Sequence, residues 1–132
     1  MTNHIAVWLA ENGFGKIVRR ESVGGGCIND TERLHLDAGN SLFLKQHAQA
    51  PEGMFHSEAV GLQALSNSQF LRVPTVIHVE EDFILLEDLG QSSPGERFWA
   101  ELGKGLAQLH SEEYPHFGFK IHNYCGSTPQ QN

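Results

Sequence analysis

Residues 41–65, SLFLKQHAQAPEGMFHSEAVGLQAL, decide how this chain folds. Ser41-Leu42-Phe43-Leu44-Lys45 reads as a strand, so Phe43 and Lys45 share one face while Leu42 and Leu44 point the other way. After Pro51 the period changes. From Glu52 to Leu65, Met54, Phe55, Leu62 and Leu65 recur at helical spacing, and Ser66-Asn67-Ser68 ends the run. Glu58 lies at the centre of that apolar stripe, four residues from Met54 and from Leu62, and is its only carboxylate. A charge on the buried face of a helix costs several kcal/mol unless it is paired and hydrogen-bonded. Glu58 therefore needs a cation from the neighbouring sheet, and Lys45 is the obvious candidate. The alternatives are that Glu58 sits at the wet edge of the stripe and that Lys45 is a solvated strand-end charge.

Outward from this stretch the pattern is an antiparallel meander. Upstream, Thr2 or Asn3 can cap a short helix with Ile5, Trp8 and Leu9 on one face and Gly13 as its stop. Lys16 to Val23 reads as a strand, Gly24-Gly25-Gly26-Cys27-Ile28-Asn29-Asp30 as a loop, and Thr31 to Leu36 as the returning strand. Asp37-Ala38-Gly39-Asn40 is turn chemistry. Downstream, Val73 to Val79 and Phe83 to Leu86 are two more strands around the acidic turn Glu80-Glu81-Asp82, the first an edge candidate because of Pro74. Ser93-Pro94-Gly95-Glu96 has capping-box spacing and predicts a helix through Phe98, Leu102, Leu106 and Leu109 to about Ser111. Pro115 to Asn132 shows no convincing element. Hairpins interrupted by one helix predict an α+β fold with a five-stranded antiparallel sheet.

Composition narrows the function classes. The chain has 132 residues, 39% hydrophobic, and a formal charge of -7, which offers no general attraction to nucleic acid or anionic lipid. No apolar run reaches the roughly 18 residues of a membrane span, and the start lacks a secretory pattern, so a cytoplasmic address is expected. Cys27 and Cys125 lie too far apart in sequence for a Cys-based metal motif, and the eight histidines are scattered without helical ligand spacing, so no metal ligand set is expected.

Three glycines between two strands allow backbone amides to approach a phosphate, although a flexible hairpin loop reads the same way. Joined to the strand lysine and the helix glutamate, they reproduce the amino-terminal lobe of a protein-kinase-like fold. In that arrangement Gly24, Gly25, Gly26, Cys27 and Ile28 cover the phosphates of ATP and Lys45, oriented by Glu58, holds them. Glu87, Asp88 and Leu89 then form the hinge that receives adenine, where otherwise Glu87 and Asp88 are an ordinary polar strand end. Residues 1–90 make the nucleotide-binding lobe, and 91–132 the hinge-following helix and loop that begin an incomplete second lobe.

Beyond this general pattern, the chain resembles the fructosamine (ketosamine) kinase family. The resemblance rests on Gly25-Gly26-Cys27-Ile28-Asn29, Phe43-Leu44-Lys45, Met54-Phe55 with Glu58-Ala59 and Gly61-Leu62, and Val73-Pro74. It continues through Leu102-Gly103, Leu106-Ala107, Leu109-His110, Phe117-Gly118-Phe119, Asn123-Tyr124, and Gly126-Ser127-Thr128-Pro129-Gln130 with Asn132. It implies ATP- and Mg2+-dependent phosphorylation of the sugar 3-hydroxyl of ketosamines, which destabilises the adduct and frees the amine. The family keeps its catalytic aspartate, in a His-Gly-Asp loop, and its metal-binding aspartate in a second lobe. Neither sequence occurs here, so no residue of this chain is expected to be the catalytic base, the Mg2+ ligands are expected in that other lobe, and the chain reads as a truncated kinase. A non-catalytic nucleotide-binding or dimerisation module, with self-association through Phe98, Leu102 and Leu106 or through Cys27, is the alternative, as is an aminoglycoside- or choline-type phosphotransferase. Cys27 reads either as a reactive thiol among anion-holding amides or as a small residue filling the hairpin.

Overall fold

The computed structural model describes residues 2–24 and 29–132. Gly25, Gly26, Cys27 and Ile28, four of the five expected phosphate-loop residues, lie outside the described residues, as do the side chains of Thr2 and Asn3 expected to cap the first helix.

Helix α1 (Thr2–Glu11) precedes the hairpin of β1 (Ile17–Ser22) and β2 (Asp30–Leu36), which continues into β3 (Ser41–Gln46). Helix α2 (Met54–Ser68) follows, then β4 (Val76–Val79), β5 (Phe83–Glu87) and helix α3 (Phe98–His110). A small hairpin, β6 (Asn123–Cys125) and β7 (Thr128–Gln130), completes the order. The five main strands form one sheet in the order β1-β2-β3-β5-β4, with every neighbouring pair antiparallel. This is the expected α+β lobe. Gly39 turns β2 into β3 with φ 87°, where a side chain would be strained, and its N–H donates to the Leu36 carbonyl at 3.0 Å.

Alternation along β3 sorts two cores. Leu42 and Leu44 face α1, packing with Ile5, Leu9, Leu34, Leu36, Phe83 and Leu85. Phe43 faces α2, where Phe55 is fully buried against Ile84 and Leu86. With both faces covered, Phe83-Ile84-Leu85-Leu86 is buried throughout, which is why β5 reads as a continuous apolar run. Burying Phe55 contributes about 2–3 kcal/mol and seats α2 on the sheet.

Three expectations need correction. Helix α3 begins at Phe98, flanked by Arg97 with no side-chain cap, so the Ser93–Glu96 box does not open it. Residues 91–101 are all exposed, so no packing offsets the helix cost of Gly95, about 0.5–1 kcal/mol. Strand β4 starts at Val76 rather than Val73, since Pro74 has no N–H to give a ladder, and it does lie at the sheet edge. The tail thought featureless contains β6 and β7, three residues each, held by docking on α2 rather than by their own propensity. Helix α3 meets the body at Gly105, where a Cβ would come within 2.9 Å of the Phe70 carbonyl oxygen.

Candidate active site

Lys45 lies on the central strand, opposite Thr31 of β2 and Ile84 of β5, so its side chain emerges on the face that α2 covers. Glu58 reaches it from the second turn of α2. The Lys45 Nζ donates to both Glu58 oxygens, at 2.6 and 2.8 Å. The pairing follows from two periodicities: the pleat sends Lys45 the same way as Phe43, and the helical stripe that buries Phe55 carries Glu58 toward the same surface. The two side chains keep 24% and 26% of their accessible surface, and Leu65, at the far end of the stripe, is 43% exposed. The pair is therefore half-buried, not sealed in the core. Solvent, or a ligand anion, can reach the ammonium.

An open cavity of about 370 Å³ adjoins this pair, lined among others by Asn29, Leu62, Asn123 and Tyr124. The Asn29 side-chain oxygen is buried without a partner among the described residues. The strand ends that flank the glycine segment are tied to each other: the Val23 N–H donates to the Thr31 carbonyl at 2.9 Å, and the Thr31 hydroxyl returns a bond to the Val23 carbonyl. Of the expected loop residues only Gly24, which is exposed, is described.

Sequence reasoning missed the contribution of β6. Tyr124 lines the cavity and donates its hydroxyl to the Glu52 carbonyl at 3.1 Å, tying the hairpin to the segment that leads into α2. The available signal was an aromatic residue amid a Gly- and Asn-rich tail. Tyr124→Phe is expected to remove roughly 1 kcal/mol of this restraint. Hydrogen exchange at residues 54–57 should speed several-fold while the central strands are unaffected.

At the hinge end, Glu87 and Asp88 are more than a polar strand terminus. Glu87 accepts from the Thr75 N–H at 3.1 Å and its hydroxyl at 3.2 Å, and pairs with Arg72. The Thr75 N–H foremost, aided by Arg72, holds its carboxyl below the ordinary value. Asp88 accepts from Arg33 Nε at 2.6 Å and Nη2 at 3.3 Å, from Ser41 Oγ at 2.6 Å, and from the Gly90 N–H at 3.0 Å. Burial works to raise the Asp88 carboxyl, but these hydrogen bonds outweigh it and leave the group below its ordinary value. The clasp with Asp88 raises the Arg33 guanidinium in turn. Asp88 thereby fastens β2 and β3 to the segment leaving β5. Leu89 beyond it is half exposed. Arg33 and Ser41 were not singled out in the sequence, although Arg33 shares the Phe43 face and so had to find a carboxylate there.

Arg33 also reaches Glu21 at 3.5 Å, and His35 lies 2.9 Å from Glu21, whose carboxyl is lowered chiefly by that His35 contact. Glu21, Glu87 and Asp88 all titrate lower in the folded chain than ordinarily. Such groups contribute stability that is complete above the ordinary value, 3.8 for Asp88, and disappears as pH falls through the depressed folded value. Stability measured by denaturant titration should thus be flat in this respect above about pH 5 and fall below about pH 4. Asp88→Asn should make that acid decline shallower.

Comparison with known proteins agrees with this geometry. The family model described as Fructosamine kinase matches residues 1–132. The chain is 37% identical over 138 residues to the chloroplastic protein-ribulosamine 3-kinase of Arabidopsis thaliana, covering 97% of this chain and 41% of that protein. It is 34% identical over 122 residues to the "Probable ketoamine kinase" of Synechocystis sp., covering 89% and 41%. A crystal structure of a candidate fructosamine-3-kinase from Haemophilus somnus superposes with a TM-score of 0.83 at 26% identity, over 97% of this chain and 45% of that one. The chain thus spans about two fifths of the length of these curated relatives. Matched along its whole length and carrying the lysine–glutamate pair on the lobe its sequence anticipated, this chain belongs to the fructosamine kinase family.

Proposed function

We propose that this chain is the nucleotide-gripping part of an ATP-dependent kinase that phosphorylates the 3-hydroxyl of ketosamines, sugar adducts of amines. Residues 1–90 form the nucleotide lobe, and 91–132 carry the hinge-following helix and the start of a second lobe. The observation that carries the reading is the bidentate Lys45–Glu58 pair beside an open cavity at the base of the glycine hairpin. Lys45 neutralises the α- and β-phosphates, Glu58 fixes its direction, and the Gly24 to Ile28 loop covers them from above. Glu87, Asp88 and Leu89 offer backbone groups to adenine, with Asp88 holding that segment in place. Phosphorylation at the 3-hydroxyl destabilises the adduct and releases the amine, which makes the reaction a repair of glycated protein or small amines.

The described residues do not build a Mg2+ site beside Lys45, because the single carboxylate among those lining that cavity, Glu58, is already committed to the ammonium. The Mg2+ ligands and the aspartate that orients the sugar hydroxyl would be supplied by the second lobe. No helix among the described residues is long and apolar enough to cross a membrane.

The test is to read the coding sequence past Asn132 and assay the full-length product. A His-Gly-Asp loop within about 150 further residues, a lobe's length, and ATP·Mg2+-dependent conversion of a ribulosamine or fructosamine to its 3-phosphate are expected. Absence of the loop, or no turnover of either adduct, overturns the reading. A second reading, a non-catalytic module that self-associates, is favoured by the exposed apolar side chains Phe98, Trp99 and Leu106 on α3. A strictly monomeric sedimentation profile counts against it.

A further inference from the structure

The acidic turn between β4 and β5 is met by histidines from three elements. His4 of α1 places Nε2 4.0 Å from Asp82, His56 of α2 lies 3.5 Å from Glu81, and His78 of β4 contacts Glu80 at 3.0 Å. Scattered in the sequence, these residues are gathered by the fold at one corner of the sheet. Three of them, His4, Glu80 and Asp82, each offer a ligand atom, and all three atoms lie within 4.8 Å of one another.

Two features set this trio apart from a solvated ion pair. A hydrogen-bonded histidine–carboxylate pair stands at about 2.7–3.2 Å. His4 and Asp82 instead stand 4.0 Å apart, close to the roughly 3.4 Å that separates two ligands on a tetrahedral ion with bonds near 2.1 Å. The ligands are also supported from behind. His78 contacts one Glu80 oxygen, leaving the other available, and the His78 ring is itself stacked on Trp8 at 4.1 Å and 15°. The His4 ring rests on the core residue Phe83 at 5.3 Å. An open hollow lined by His4, Val7, Trp8, Glu11 and Glu80 leaves room for a further ligand.

We propose that His4, Glu80 and Asp82 bind a divalent transition ion of the zinc class, with the fourth position open and His78 as a positioning residue. One imidazole with two carboxylates suits zinc, cobalt or nickel; Mg2+ prefers oxygen ligands and retained waters. The ion clips α1 to the β4–β5 turn, and since the ligands are assembled only in the folded chain, binding raises stability. The site lies apart from the Lys45 cavity and its existence does not depend on the kinase reading.

The experiment uses the 132-residue chain, stripped with a chelator, and titrates Zn2+ in competition with a chromophoric chelator and Co2+ by visible absorption. Expected are one ion per chain, a rise in the melting temperature, and no displacement by excess Mg2+. His4→Gln and Asp82→Asn should each weaken binding roughly tenfold or more, and His78→Phe, which keeps the stack on Trp8, by about 10- to 100-fold. His116→Gln, on an exposed loop, should leave it unchanged. Because a variant can fail to fold, Co2+ is also followed in the unmutated chain: paramagnetic broadening of the His4 ring signals, with those of His116 spared, supports the site. No binding by the folded chain, displacement by Mg2+, affinity indifferent to both His4→Gln and Asp82→Asn, or broadening that spares His4 overturns it.

Discussion

Lys45→Met, tested in the kinase proposed above, is expected to lower kcat/KM for ATP by about 10²- to 10³-fold, the scale for removing one preorganised charge contact to a reacting centre. The Lys45 ammonium is the one cation among the described residues lining the cavity, and Glu58 holds it by two bonds of 2.6 and 2.8 Å. Methionine retains the unbranched apolar stem of the side chain and ends where the ammonium begins, so the sheet is preserved while the charge is lost. Glu58→Gln should cost less, since an amide oxygen still accepts from the ammonium but no longer offsets its charge. Steady-state kinetics with varied ATP, alongside thermal melts, separates the two effects. Unchanged kcat/KM in a folded Lys45→Met protein would remove Lys45 from phosphate binding and with it the central argument for nucleotide handling.

The second large effect is expected at Phe55. Its ring is fully buried against Ile84 and Leu86, and it joins α2 to the face of the sheet from which Lys45 emerges. Phe55→Ala removes the ring and leaves a void that the flanking strands cannot fill, costing about 3–5 kcal/mol. For a chain of this size that loss is on the order of 10 °C or more in Tm. The consequence for the site is indirect but specific: without this anchor α2 no longer holds Glu58 over Lys45. Denaturant titration measures the loss, and hydrogen exchange should show α2 opening before the β2–β3–β5 ladder. A Phe55→Ala chain as stable as the parent would mean that α2 is seated by something other than this contact.

The ion pair was legible before any coordinate because two local periodicities met. A strand of period two and a helix of period 3.6 each assigned one charge to a face that had to be covered, and opposite charges on facing surfaces have one economical arrangement. The Ser93–Glu96 box was misleading for the complementary reason: capping spacing supplies about 1 kcal/mol, and no burial in residues 91–101 adds to it. The β6–β7 hairpin was invisible because strands of three residues carry too little pattern; Tyr124 and the flank of α2 hold them.

By itself, the sequence determined the five main strands, the course of the two long helices and the faces of β3, and it named Lys45 as the candidate partner of Glu58, because each follows from a period of two or 3.6 residues read along a short stretch. Only the tertiary structure decided that Asp88 is clasped by Arg33 and Ser41, that Tyr124 reaches back to Glu52, and that His4 meets Glu80 and Asp82. Those contacts join segments far apart in the chain, and no local period records which distant surfaces a folded sheet and its helices bring together.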